Sequence, residues 1–173
     1  MEDEQWEKIR AARAPWASLM GNTTKEWVHW VQLLDVELKT WLHGEDIVYA
    51  EFGTTRKGEA SHQGGAYEAN ELWAVVLTSR FVASVRVRKD FSTELADDVD
   101  VSVVPRSAIQ ALSLQVIDVP TSQGVPIVTR AHFEGLDDVV QFPAKADKWF
   151  LVDPEVRLAI FAGLRDDLHP QRC

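Results

Sequence analysis

The residues of this chain best suited to chemistry are a short basic run, a short acidic run, five histidines and an excess of tryptophan. Arg86-Val87-Arg88-Lys89 lies in an alternating stretch. In an extended chain that spacing sets Arg86 and Arg88 side by side on one face, where with Arg80 they are a candidate contact for an anion such as a phosphate. A solvated strand face accounts for the same residues and is the plainer reading. Glu94, Asp97, Asp98 and Asp100 offer oxygen ligands to a hard cation, but they lack the turn glycine and distal glutamate of an EF-hand loop, so a solvated acidic loop is expected.

His29, His43, His62, His132 and His169 are far apart, with no His-x-x-x-His pair and no cysteine at zinc-site spacing. Cys173 is the one cysteine, so no internal disulfide can form. The chain has no Gly-x-Ser-x-Gly elbow, no Walker loop and no dinucleotide fingerprint, and adjacent carboxylates such as Glu45 and Asp46 do not flank a substrate. No catalytic residue, cofactor or metal ligand is assigned, and the expectation is a protein that is not an enzyme.

Of the seven tryptophans, Trp6, Trp16, Trp27, Trp30 and Trp41 crowd the first 41 positions. Tryptophan buries a large area at low entropic cost, which suits it to cores and to binding anchors alike. Packing within the chain is the first expectation. The apolar arc around Trp27, Trp30 and Trp41 is nevertheless wide enough to make these three the candidate partner interface.

At 173 residues the chain can bury roughly two thirds of its unfolded surface, enough for a core without staples. A net charge of −9 disfavours nucleic acid and anionic lipid, since both would be repelled by the average field. The expected partner is a protein or a second copy of the chain, with a membrane surface as the disfavoured alternative. Met1-Glu-Asp-Glu has neither the basic nor the apolar segment of a secretory signal, and a cytoplasmic protein is expected.

The elements that must position these residues follow from periodicity. Residues 3–14 place acids first and bases last, as a helix dipole favours, and Pro15 ends the segment. Thr23 and Glu26 form a capping box for a second helix, on which Trp27, Trp30, Val31, Leu34, Leu38, Trp41 and Leu42 make one stripe up to Gly44. The period then changes to two. Runs at 47–52, 72–78, 81–88, 99–104, 109–117, 125–133 and 139–142 are rich in Val, Ile and aromatics and bounded by turn formers, with a glycine-rich loop at 53–70. Asp153-Pro154-Glu155 then starts a helix with Val156, Ile160, Phe161 and Leu164 inward.

Seven strands followed by one amphipathic helix resembles the bacterial pleckstrin-homology-like, or GRAM-like, domain. Leu77-Thr78-Ser79-Arg80-Phe81 is similar to one of its strand-turn-strand segments, and Val103-Val104-Pro105-Arg106-Ser107-Ala108-Ile109 to the next recurring one. The resemblance covers residues 45–168. It implies an α+β fold, a seven-stranded, partly open antiparallel β-barrel or roll closed by the C-terminal helix, here preceded by a helical hairpin at residues 1–44. Lipid-binding members carry basic residues on the first two strands, and this chain has none at 47–52 or 72–78. A non-catalytic binding module for protein partners or self-association is the leading expectation. The alternatives are an anionic-lipid module, or a roll with an internal small-ligand pocket, lined by Trp73, Leu112, Leu114 and Phe133, that acts as an enzyme.

Overall fold

The computed structural model describes residues 2–13, 16, 29–56, 70–89, 98–116, 127–144 and 152–169. Within them the chain is α+β. It has helices α1 (Glu2–Ala12), α2 (His29–Trp41) and α3 (Pro154–Leu168) and seven strands: β1 (Ile47–Arg56), β2 (Asn70–Thr78), β3 (Phe81–Lys89), β4 (Asp98–Pro105), β5 (Ile109–Val116), β6 (Ile127–Phe133) and β7 (Val140–Phe142). All seven strand runs expected from the period-two pattern are present. They form two antiparallel meanders rather than one closed ring of strands: a four-stranded sheet ordered β1-β2-β3-β4 and a three-stranded sheet ordered β5-β6-β7.

The chain divides into two compact units, Met1–Ser79 with Ala83–Val103, and Arg80–Val82 with Val104–Cys173. In the first, Trp6 and Ile9 of α1, Trp16, and Val31, Leu34 and Leu38 of α2 share one apolar core with Leu42 and with Leu72, Ala74 and Val76 of β2 and Ala83, Val85 and Val87 of β3. The alternate residues on each strand that enter this core all lie on one face. Trp6 and Trp16 thus pack within the first unit, in one core with its sheet. Leu42 N donates to Leu38 O at 2.8 Å to close α2, and Gly44 at φ +74°, where the inward stripe was expected to end, turns the chain out of it.

β1 and β2 are longer than their apolar runs. Gly53–Arg56 and Asn70, expected in the glycine-rich loop, are paired strand residues with Gly53 opposite Trp73 and Arg56 opposite Asn70, and Glu71 joins them opposite Thr55. Cross-strand pairing overrides the low strand propensity of Gly53.

In the second unit α3 packs against β5, β6 and a single 3₁₀ turn, Arg106–Ala108. Asp153 Oδ1 accepts from Glu155 N at 2.7 Å and Pro154 opens the helix, so the start signal acts as expected. Ile160 and Leu164 are buried, Phe161 is half-buried, and Val156 stands exposed where an inward position was expected. On β6, Thr129, Ala131 and Phe133 are buried on one face; on the other, Arg130 is exposed and His132 half-buried, but Val128 is buried.

Candidate interaction surface

Two neighbouring residues on α2 show how that helix divides its surface. Leu34 is buried and Leu33 is 56% exposed. Val31, Leu34, Leu38 and Leu42 recur at three- and four-residue spacing and face the sheet. Leu33, Val36 and Trp41 lie outside that stripe at 56%, 63% and 54% exposure, and together they give the helix a second, solvent-facing apolar surface. Trp41, expected on the inward stripe, is 54% exposed at the last position of α2, at the edge of the stripe, while Leu42 is buried as expected. Trp27 and the side chain of Trp30 lie outside the described residues.

The orientation of α2 is fixed from below by a charge pair that sequence reading missed. Arg13 Nη1 and Nη2 donate to the two carboxylate oxygens of Asp35, the second at 3.3 Å, with Arg13 only 2% exposed. A forked pair at this burial holds the two helices in one register. Its signal was present: Arg13 stands in line with Trp6 and Ile9 on α1, and Asp35 beside Leu34 and Leu38 on α2, so each apolar stripe carries one charge of opposite sign.

A cleft of about 360 Å³ opens where α1, the end of α2 and the start of β1 meet. Its apolar lining is Trp6, Ile9, Leu42 and Ile47. Lys39 Nζ sits 4.7 Å from the centre of the Trp6 ring, a cation on an indole face. Gln5 and Lys8 pin β1 to α1: Gln5 Oε1 accepts from Ile47 N at 2.9 Å, and Lys8 Nζ donates to Ile47 O at 3.3 Å.

Two carboxylates on the rim, Glu45 and Glu7, are engaged in holding structure. Glu45 is buried and accepts from the hydroxyls of Thr78 at 3.0 Å and Ser79 at 3.2 Å, and Glu7 pairs with Arg10 at 2.6 Å.

Of the candidate anion contacts, Arg80 is exposed, with its guanidinium 5.6 Å from the Phe81 ring centre and its carbonyl accepting from Arg106 N at 2.7 Å. Arg86 is half-buried on β3, and the Arg88 side chain lies outside the described residues. Among the acids, Asp100 is exposed on β4, while Glu94 and Asp97 and the side chain of Asp98 lie outside the described residues. No group of three or more His, Cys, Asp or Glu side chains able to hold a metal ion occurs among the described residues. No described helix is long and apolar enough to cross a membrane.

Of the four residues expected to line an internal ligand pocket, Leu114 is 47% exposed on β5 and Trp73 lies against Gly53. Leu112 is half-buried and Phe133 buried. Comparison of the chain with protein-family models, with curated proteins and with solved structures returns no match.

Proposed function

We propose that this chain is a non-catalytic protein-interaction module in which residues 45–173 form a pleckstrin-homology-like, partly open barrel or roll closed by α3, and residues 1–44 form a helical appendage that presents a docking face. The order of four strands, three strands and a capped helix supports the layout. The observation that carries the functional reading is the outer face of α2, where Leu33, Val36 and Trp41 are each more than half exposed on a helix whose other face is already buried.

The occupant of that face is a protein with an apolar groove, read by helix-in-groove contact. Gln32, Glu37, Lys39 and Thr40 interleave the apolar residues and supply a polar rim. A net charge of −9 steers the chain towards neutral or basic partners and away from anionic vesicles.

The test is amine cross-linking through Lys39 in extract of the source cells, with the wild-type chain and with a Leu33→Asp/Val36→Asp/Trp41→Ala variant. A cross-linked protein that is lost in the variant, while the circular dichroism spectrum is unchanged, supports the reading. A chain that cross-links to nothing, or a variant that retains every partner, overturns it. Flotation of the chain with phosphatidylserine vesicles would instead favour a membrane-surface role for Arg80, Arg86 and Arg88.

A further inference from the structure

The edges of the two sheets are not treated alike. β1 carries Glu51 and Arg56, β4 carries Asp98, Asp100 and Pro105, and β7 is only three residues long. Charge, proline and shortness are the devices by which exposed edges are kept from pairing with other strands. The remaining edge strand, β5, has none of them. Its eight residues, Ile-Gln-Ala-Leu-Ser-Leu-Gln-Val, include no charge and no proline.

β5 is also bare. Ile109 is buried and Leu112 half-buried, and the other six residues are exposed, on both faces of the strand. Among the described residues, β6 is its only strand partner, and no backbone group of residues 110–116 is bonded elsewhere. The exposure is not that of a wet outer face. Leu112, Leu114 and Val116 lie opposite Ala131, Thr129 and Ile127 of β6, so they share the face on which Ala131 and Thr129 are buried. The apolar face of this sheet therefore runs out to an uncovered edge, with Leu114 at 47% and Val116 at 65% exposure.

We infer that β5 is a self-association edge, and that a second copy of this chain pairs with it antiparallel to make one continuous six-stranded sheet. Two considerations select a second copy. The −9 on each chain opposes association at every surface, and β5, which carries no charge of its own, is the edge that sets no like-charged side chains against each other when two copies meet. A basic peptide, by contrast, finds no carboxylate on residues 109–116. An antiparallel edge is also self-complementary under a two-fold axis, the commonest symmetry of soluble oligomers. Opposed residues must share a face, so the axis passes beside a residue. Placed at Ser113 it sets Leu112 against Leu114 of the second copy, extending the apolar face across the junction.

This surface is separate from the outer face of α2, and the two can fail independently. The experiment is light scattering on the full chain over a range of concentrations. The wild type is expected to approach twice its 19.5 kDa mass. Ser113→Lys/Gln115→Lys, which sets charges on exposed positions of the edge, is expected to be monomeric with an unchanged circular dichroism spectrum, whereas the α2 variant stays dimeric. In a Cys173→Ser background, Ser113→Cys is expected to form a disulfide-linked dimer on mild oxidation. A wild type that is monomeric at every concentration, alone or with another protein on β5, overturns the inference. So does a dimer that survives the double lysine variant or fails to cross-link at position 113.

Discussion

The indole of Trp73 lies across the backbone of Gly53, its partner on the neighbouring strand, so closely that a Cβ at position 53 would come within 2.2 Å of Cζ2. Trp16 Nε1 donates to Gly53 O at 3.0 Å, and the Trp16 ring meets Phe52 edge-on at 5.0 Å. An aromatic residue covering a glycine on the adjacent strand shields backbone that the glycine leaves open. Two of the seven tryptophans therefore converge on one strand residue, and this explains part of the compositional excess as architecture.

Gly53→Ala is expected to destabilise the chain by about 1–3 kcal/mol, because the added methyl group must displace a packed ring. The same substitution in a Trp73→Ala background is expected to cost less, since the obstructing atoms are gone. Urea unfolding of the four chains measures the difference, and equal costs in both backgrounds would contradict the packing.

Arg13→Met is expected to cost about 3–5 kcal/mol, the range for removing one partner of a buried ion pair. Asp35 is left facing an apolar side chain, and its remaining exposure of 23% places the effect at the lower end. A double variant, Arg13→Met/Asp35→Leu, is expected to recover most of the loss. A double-mutant cycle read by chemical unfolding gives the coupling directly.

Much of this fold was legible from residue spacing, and the reasons are particular. Each strand run was short, apolar and bounded by turn formers, and the Asp153-Pro154-Glu155 start was spelled out locally. Reading failed where a contact joined residues distant in sequence. Gly53 reads as a loop former, and only Trp73 across the ladder makes it a strand residue. Trp41 fits the apolar stripe by spacing, yet it lies at the edge of the stripe and stays exposed. The Arg13 and Asp35 pair is 22 residues apart and becomes visible only when two stripes are laid face to face. Of the exposed apolar residues of α2, the width of the arc pointed to Trp41, whereas Leu33 and Val36 fall off the inward spacing and were not singled out.

Gly163 sits within α3 beneath Arg106, which donates from Nε to Asp167 at 2.7 Å, and a Cβ there would lie 2.7 Å from Arg106 Nη2. Two effects oppose each other in Gly163→Ala. The helix gains about 1 kcal/mol in propensity, and the guanidinium must shift from its partner. The net change is expected to stay within about 1 kcal/mol, because an arginine tip can move where a backbone cannot. In an Arg106→Ala background the opposing effect vanishes, and Gly163→Ala is expected to stabilise by about 1 kcal/mol. Thermal unfolding of both pairs decides whether Arg106 occupies that space.

Leu33 and Leu34 are adjacent and chemically identical, so truncating each isolates the effect of the face it occupies. Leu34→Ala removes a buried side chain from the core shared by α1, α2 and the first sheet, and is expected to cost about 2–5 kcal/mol. Leu33→Ala removes atoms already in water and is expected to change stability by no more than about 0.5 kcal/mol. The two should reverse when binding is measured: Leu33→Ala, though folded as well as the wild type, should weaken cross-linking through Lys39, whereas Leu34→Ala under conditions where it remains folded should retain it. Equal stability losses at the two positions would mean that α2 does not present Leu33 to solvent, and the docking face would lose its physical basis.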